Sequence, residues 1–187
     1  DMVENLRFYS GGFPVQFGDK LSSALEVDYS LQREDQTTFT LRADFLTMGA
    51  AGKGSGKRFQ WNAGVRYANP QLFVNRLQTS GNYRPEFFDG QFFGRYKLNK
   101  KSDLQLFALH ARNQFDLTPD TWTGNFKFSL FDVRSVEIKY EGNSSYSFQS
   151  SLLGLAYGYQ PSEQTHLKFS IAGYNTNEEE QADLDGN

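Results

Sequence analysis

The sequence contains no cysteine and only two histidines, His110 and His166. A chain without cysteine has neither a disulfide framework nor a thiolate metal site, and two histidines provide little material for a histidine-rich metal centre. Lysine plus arginine number 19 and aspartate plus glutamate 22, giving a net charge of −3. A nucleic-acid partner favours a clearly basic surface. We therefore expect no metal, no cofactor and no nucleic-acid partner.

Long hydrophobic runs are also lacking. The longest nearly apolar stretch, residues 152–159, is eight residues long, whereas a membrane-spanning helix needs about 18. The mean hydropathy is −0.62. Such a value does not exclude a membrane protein, because the strands of a membrane barrel hide their hydrophobicity in an alternating pattern.

Aromatic residues are in excess, with 18 Phe, 10 Tyr and 2 Trp, which is unlike a disordered segment. Apolar residues recur at every second position, for example in 59–67 and 88–98, and also in 25–30, 38–45, 126–130, 136–140 and 167–171. Successive strand residues point to opposite faces, so each segment has one apolar and one polar face. The pattern predicts an all-β, antiparallel fold with about eight strands after residue 37.

Several of these strands are ten to fourteen residues long by their alternation. Eleven residues at about 3.3 Å each, tilted by about 45°, span roughly 25 Å, the height of the apolar band of a membrane barrel. Strands of soluble sandwiches are typically about five or six residues long. The strand lengths therefore favour a transmembrane β-barrel.

The alternation fails in two segments, 103–113 and 146–159, where apolar residues fall on both faces. A β-bulge would produce such a switch, and so would a strand that is covered on both faces. Both alternatives stay open at this point.

The segments between strands differ in length. Residues 99–102 and 160–165 predict compact turns, whereas 69–85 and 114–123 predict longer connections that could carry binding residues. The glycine-rich segment 49–56 is interpreted as a flexible tip.

No motif indicates catalysis. The glycine-rich segment 49–57 does not have the spacing of a phosphate-binding loop. The acidic segment 178–186 lacks the full pattern of a calcium loop and is interpreted as a solvated acidic loop. Glu86 and Asp89, like the two histidines, are predicted to be structural or surface residues, so we expect neither a catalytic site nor an enzyme. Six aromatic residues fit an interfacial girdle better than a sugar-stacking surface: Phe59, Trp61, Tyr67, Phe88, Phe92 and Tyr96.

One segment of seventeen residues resembles a known family. Residues 11–27 read Gly-Gly-Phe-Pro-Val-Gln-Phe-Gly-Asp-Lys-Leu-Ser-Ser-Ala-Leu-Glu-Val. This resembles the end of the plug domain of TonB-dependent outer-membrane receptors, in the branch whose pattern is Gly-Gly-Phe-Pro-Ala-Glu-Tyr-Gly-Gly-Arg-Leu-Ser-Ser-Val-Leu-Asp-Val, with departures at Gln16, Asp19 and Lys20. Residues 85–89 are similar to an early barrel strand of that branch, and 173–179 to a later strand end, in the same order.

The resemblance implies a barrel of about 22 strands whose lumen is filled by the plug. Residues 1–31 would then be the C-terminal part of the plug domain, and 32–187 the N-terminal strands of the outer-membrane β-barrel. About eight strands cannot close such a barrel, so the chain is expected to be a fragment whose free edge needs the remainder of the barrel. Arg7, Glu26 and Asp28 would face a polar lumen wall, and Gly11, Gly12 and Gly18 would permit a tight backbone.

The implied function is the TonB-energised uptake of a nutrient across the bacterial outer membrane, without covalent chemistry. The implied partners are TonB, outer-membrane lipids and, as in related receptors, a surface lipoprotein that caps the pore. The transported ligand and the residues that contact it cannot be read from the pattern, because a fold does not fix a function. Two alternatives are a secreted β-sandwich that binds glycans and a receptor-like barrel with a scaffolding role.

Two observations give opposite sides of the membrane for the turn at 99–102. The short length of this turn indicates that it is periplasmic. Counting strands from a periplasmic plug exit at about Ser30 puts the same turn outside. One further strand, or one strand that has been divided wrongly, would reconcile the two.

Overall fold

The protein is almost entirely β-strand. The computed structural model describes residues 2–15, 17–18, 22–29, 31, 36–74, 76, 81–119, 122–127, 133–138 and 140–186. All strand pairs in this part of the chain are antiparallel. The helix α1 (Gln71–Val74) is one turn long, and no helix of the described ranges has the length and hydropathy to cross a membrane. The predicted all-β, antiparallel fold is confirmed.

The described strands form three sheets. A hairpin consists of β1 (Val3–Tyr9) and β2 (Ala24–Tyr29). The main sheet contains β3 (Thr37–Ala43), β4 (Thr47–Ser55), β5 (Phe59–Ala68), β6 (Gly81–Lys97), β7 (Ser102–Pro119), β10 (Tyr140–Ser162) and β11 (Thr165–Gly186). Its order is β11-β10-β7-β6-β5-β4-β3, so each pair of adjacent strands is also consecutive in the chain, except the pair β7 and β10. Between those two strands, β8 (Trp122–Lys127) and β9 (Val133–Ile138) form a separate hairpin.

The register gives the main sheet one apolar and one polar face. Residues directly paired across antiparallel strands point to the same side. One such row runs through all seven strands: Phe39, Gly52, Ala63, Phe92, Ala108, Leu153 and Gly173. We call this side the apolar face; it also carries Leu41, Met48, Phe59, Trp61, Val65, Tyr67, Phe88, Tyr96, Leu104, Leu106, Leu155, Tyr157, Tyr159, Leu167, Phe169 and Ile171. The other side, the polar face, carries Thr38, Thr40, Arg42, Lys53, Gln60, Asn62, Arg66, Asp89, Gln91, Arg95, Lys97, Asp103, Gln105, Lys168 and Ser170.

The apolar face is open rather than packed into a core. Phe39, Leu41 and Ile171 are 74%, 83% and 74% exposed, and Ala24 is the one buried hydrophobic residue among those whose side chains the structure describes. A soluble sheet of this size ordinarily buries one face against a second layer. The aromatic rings of the main sheet thus do not turn inward to form a self-sufficient core.

The interpretation of residues 49–56 as a flexible tip is wrong. Residues 47–55 form β4, which pairs along its length with β3 and β5. Glycine and alanine show no alternation of polar and apolar residues, but their small size leaves room for the aromatic rings on the neighbouring strands. A Cβ atom on Gly52 would lie 2.9 Å from the Phe39 ring and 3.0 Å from the Trp61 ring. Aromatic residues that cover glycines on neighbouring strands are a known device of sheet stability.

The additional strand settles which turns lie together. The chain enters the main sheet at Thr37, which pairs with Gly54 beside the turn at 56–58. Counting from there, the turns at 56–58, 98–101 and 163–164 all lie at the same end of the sheet as Thr37. The contradiction between turn length and strand count therefore disappears, because β4 is the missing strand.

The compact turns are confirmed, and the two long connections are shorter than predicted. The turn at 99–102 closes with a 3.0 Å hydrogen bond from Leu98 N to Ser102 O, and β10 and β11 are joined by residues 163–164. Residues 81–85 belong to β6 and residues 114–119 to β7, so these parts of the predicted connections are wrong. They were missed because their apolar residues Tyr83, Phe115 and Leu117 lie on the polar face, so the alternation changes sides within each strand; residues 75, 77–80 and 120–121 lie outside the described ranges.

The two breaks in alternation are not bulges. The register from Ser102 to Leu117 against β10 is continuous, and the described shift in the β10–β11 pairing falls between Tyr159 and Ser162. Apolar residues on both faces of β7 are instead explained by a neighbour on the polar face, where Phe107 contacts Tyr29 of the hairpin. The neighbouring element of the second alternative is therefore present on the polar face of β7, but burial of this strand on both faces is wrong, because its apolar face is open and Leu106 is 39% exposed.

We predict that Gly49→Ala lowers the free energy of unfolding by about 1–2 kcal/mol, because the new methyl group would lie 2.9 Å from the Val65 carbonyl oxygen and force two strands apart. Gly173→Ala is the matched control, since a Cβ there meets no atom within 4 Å. Urea unfolding of the intact protein measures both. Equal effects at the two positions would contradict the tight packing of β4.

Candidate functional site

Tyr29, the last residue of β2, attaches the hairpin to the polar face. Its ring lies 5.5 Å from the Phe93 ring and 5.3 Å from the Phe107 ring, centroid to centroid. Its hydroxyl donates a 2.9 Å hydrogen bond to Oε1 of Gln91. Burial against these residues raises the pKa of Tyr29. The aromatic contacts and the satisfied hydroxyl together fix this end of the hairpin on strands β6 and β7.

A second contact joins the residue before β1 to strand β5. The Asn62 amide is 1% exposed, and its Nδ2 donates to the Met2 carbonyl oxygen over 3.0 Å. Gly64, two residues along the same face, lies so close to Met2 Sδ that a side chain would overlap it. A buried amide is costly unless it is hydrogen bonded, so Asn62 specifies where the chain crosses the sheet.

An open polar cleft of about 380 Å³ lies between Met2 and strands β3 to β6. Its charged lining consists of Arg42, Asp44, Arg66 and Asp89, and Gln91 also borders it. Arg66 Nε and Asp89 Oδ2 are 2.7 Å apart. The cleft offers donors and acceptors of both charge signs, so it is suited to hold a polar molecule through hydrogen bonds and ion pairs.

Asp44 forms the rigid rim of this cleft at the β3–β4 turn. Its carboxylate accepts hydrogen bonds from the Thr47 hydroxyl (2.7 Å) and from the backbone N–H groups of Leu46 (2.9 Å) and Thr47 (2.8 Å). The Thr47 hydroxyl and these N–H groups lower the pKa of Asp44, because they favour the charged form. Asp44 is therefore ionised and engaged in holding the turn.

The hairpin carries its own cluster of charges. Arg7 donates to Glu26 over 2.9 Å and to Asp28 over 3.0 Å, and the Tyr9 hydroxyl donates to Glu26 over 3.0 Å. The hydrogen bond from Arg7 and, to a smaller extent, that from Tyr9 lower the pKa of Glu26. The bond to Glu26 raises the pKa of Tyr9. The structure thus brings together the three charged residues singled out in the sequence; their orientation towards a lumen wall stays a prediction.

The predicted tight backbone in the motif of residues 11–27 is confirmed at one glycine. Gly12 has a φ of 62°, a left-handed conformation that favours glycine, whereas Gly11, at 159°, is close to extended. Gly18 is not among the described glycines with positive φ. The departures at Gln16, Asp19 and Lys20 lie outside the described residues.

The candidate carboxylate pair and the two histidines are not brought into one site. Glu86 and Asp89 point to opposite faces, since Glu86 pairs with Gln114 and Asp89 with Ala111, and each binds a different arginine, Arg84 and Arg66. On the apolar side, His110 Nδ1 lies 2.9 Å from Ser151 Oγ. His166 lies among the basic residues at the opposite end of the strands. Within the described ranges, no group of three or more His, Asp or Glu residues could hold a metal ion.

The interpretation of 178–186 as an acidic loop is wrong. These residues continue β11, paired with β10 as far as Gly186. Because the strand is regular, Glu178 and Glu180 point to one face and Glu179 to the other, which disperses the charges. The pattern was misread because polar residues occupy both faces, so the strand has no contrast between apolar and polar positions.

The six aromatic residues assigned to a girdle all lie on the apolar face, as their pairings show. Phe59, Phe88 and Tyr96 are 42%, 42% and 41% exposed. Their common side is thus confirmed, and their environment stays a prediction.

Comparisons with known proteins do not place this chain in a family. No family model, no curated protein and no solved structure matches it. Inferences about its function therefore rest on the two faces of the sheet and the hairpin on one of them.

We predict that Tyr29→Ala releases the hairpin from the main sheet, because it removes two ring contacts and the hydrogen bond to Gln91. Amide hydrogen exchange in residues 3–9 and 24–28 should accelerate by roughly tenfold or more, from a loss of about 1–3 kcal/mol. Tyr29→Phe keeps the rings and should retain most of the protection. Unchanged exchange in the alanine variant would show that Tyr29 is not the anchor.

The hairpin cluster predicts a pH effect. Because the pKa of Glu26 lies below its ordinary value of 4.5, the stabilisation by Arg7 is present above that value and is lost as the pH falls through the lowered pKa. Carbon-13 NMR titration of Glu26 should give a pKa below 4.5 in the native protein and a higher one after Arg7→Gln. A Glu26 pKa that Arg7→Gln leaves unchanged would contradict the ion pair.

Proposed function

We propose that this chain forms part of the wall and the end of the plug of a TonB-dependent transporter in the bacterial outer membrane. The observation that carries the proposal is the main sheet itself, which exposes large apolar residues on one side and holds a hairpin on its polar side. In a membrane barrel the outer side contacts hydrocarbon and the inner side is polar. The hairpin β1–β2 then takes the place of the plug inside the lumen.

The size of the apolar face supports this environment. Its apolar and glycine positions run from Phe88 on β6 to Leu98, the residue after that strand, over eleven residues, and on β5 from Phe59 to Tyr67. Tilted strands of this length span about 20–25 Å, close to the height of an outer-membrane apolar band. The same face placed in water would be a strong aggregation hazard.

The edges of the sheet support a larger barrel. Strands β3 and β11 lie at its two ends, so each offers one row of backbone N–H and C=O groups to a further strand. In a membrane such groups must be paired, and closure of a barrel is how strands achieve this. We propose that the remainder of the same barrel supplies these partners.

In this proposal the short turns at 56–58, 98–101 and 163–164 lie on the periplasmic side, where the chain passes from the plug to β3. The polar cleft beside Met2 is a place where a polar nutrient could contact both plug and wall. TonB would supply the energy that displaces the plug, and a surface lipoprotein would cap the other end. A receptor-like barrel with a scaffolding role shares the same geometry and differs in lacking uptake.

A glycan-binding module is the second candidate. It is favoured by an open depression of about 560 Å³ on the apolar face, bordered by Phe39, Trp61 and Phe92, rings that could stack on sugars. Sugar recognition also needs polar groups that bind hydroxyls, whereas most residues that line this depression are apolar and Gln91, His110 and Ser151 are its polar ones. The membrane environment accounts for the whole face, whereas glycan stacking accounts for part of it.

The experiment compares arginine substitutions at two adjacent residues of β11. Ile171 lies on the apolar face, among the apolar positions of the end strand β11, and Ser170 lies on the polar face; both are exposed. In a membrane, Ile171→Arg should cost about 2–4 kcal/mol and reduce the amount of intact protein in the outer-membrane fraction severalfold, whereas Ser170→Arg should have little effect. Quantitative immunoblots of fractionated cells measure both.

A soluble module gives a different result. Replacing an exposed isoleucine by arginine would then leave folding unchanged or improve solubility, and both variants would be recovered as water-soluble monomers. That outcome would sink the transporter proposal, and binding to immobilised glycans that is lost in Trp61→Ala would support the second candidate.

A further inference from the structure

Basic residues are concentrated at one end of the main sheet. We call the turns at this end, residues 56–58, 97–101 and 160–164, the short-turn rim. It carries five exposed cations: Lys57, Arg58, Lys97, Lys100 and Lys101. In the described residues at this end, the acidic groups are Glu163 and Asp103, and Asp103 is already bound to Arg95 at 2.9 Å. The rim therefore has a clear excess of positive charge.

The excess is local rather than a property of the composition. The whole chain has a net charge of −3. The opposite ends of the long strands carry the cations Arg84 and Arg112 but a larger number of acids: Glu86, Asp116, Glu178, Glu179, Glu180 and Asp183. The net charge thus changes from positive to negative along the strand direction, so the two ends of the sheet suit different surroundings.

Backbone hydrogen bonds hold the turns of the rim in one line. Lys97 N donates to the Arg58 carbonyl over 2.7 Å, which joins the first turn to β6. Gln160 N donates to the Lys101 carbonyl over 2.8 Å, and Lys101 Nζ donates to the Pro161 carbonyl over 3.0 Å. The cations consequently lie in a row of connected turns at one end of the strands instead of on independent loops.

The apolar face next to the rim ends in amphipathic aromatic residues. Tyr96 and Tyr159 are 41% and 37% exposed, and the Tyr157 and Tyr159 rings stack with centroids 6.5 Å apart. Tyrosine and lysine at the border of an apolar face are typical of the headgroup region, where the ring meets the acyl chains and the hydroxyl or ammonium group meets polar headgroups. A purely apolar surface would lack this border of tyrosine and lysine residues.

We propose that the short-turn rim binds the phosphate groups of anionic phospholipids in the adjacent leaflet. The inference rests on the proposed membrane location and adds the lipid class. Lysine and arginine donate to phosphate oxygens, while the tyrosines set the depth at which the headgroups meet the rim. Each basic residue near an anionic lipid surface contributes roughly a fivefold increase in affinity.

The test uses the intact native protein in mixed vesicles of phosphatidylglycerol and phosphatidylcholine in equal amounts. Lipids that stay bound after mild detergent extraction are quantified by mass spectrometry. The triple variant Lys57→Gln, Arg58→Gln, Lys100→Gln removes three rim charges and keeps every backbone contact described above. The control, Arg76→Gln, Arg84→Gln, Arg112→Gln, removes three cations away from the rim and from the polar cleft.

We expect the native protein and the control to retain phosphatidylglycerol preferentially and the rim variant to lose this preference by about tenfold or more. Equal losses in the rim variant and the control would show a general charge effect and overturn the inference. Loss of the preference when millimolar inorganic phosphate is added would indicate a soluble-anion site and would also overturn it.

The result separates this inference from the proposed function. Native protein that inserts into vesicles of phosphatidylcholine alone but shows no preference for phosphatidylglycerol contradicts the lipid site and leaves the transporter proposal standing. Native protein that inserts into no vesicle and remains in the aqueous phase contradicts both.

Discussion

Registered backbone pairing across seven strands is the constraint on which the rest of the structure depends. Because paired residues share a side, the alternation of each strand adds up to one apolar and one polar face across the whole sheet. In a single strand, this pattern would not define the environment of either face. The exposure of residues such as Leu41 and Ile171, the site of the hairpin and the row of basic turns all follow from how the seven strands are aligned.

The sequence predicted the fold where the two faces meet different surroundings. Strand β5 and the second half of β6 were recognised because aromatic and polar residues alternate there. The prediction failed at β4, whose glycines and alanines have too little side chain to show a preference, and at the far part of β11, where both faces are polar. Alternation measures the contrast between two environments, so it cannot detect a strand that has no contrast.

The site was predictable only in part. Arg7, Glu26 and Asp28 lie on adjacent strands of one hairpin, and a local pairing explains why they meet. Tyr29 and Asn62 were missed because their partners are distant in the chain: Tyr29 binds Gln91, and Asn62 binds Met2. One signal did point to the site, since Phe107 and Leu109 place large apolar residues on the side of β7 that also carries Asp103 and Gln105. The tertiary contact that explains it depends on long-range geometry, which spacing does not encode.

The row formed by His110, Ser151 and Asn175 marks where the apolar residues of the apolar face give way to polar ones. A slip of one residue between strands would exchange the two sides, as in any amphipathic sheet. A slip of two would keep the sides but carry histidine, serine or asparagine about 7 Å into the hydrophobic zone. The boundary therefore fixes the position of each strand along its own axis as well as its orientation. Misalignments by an even number of residues are penalised, as are those by an odd number.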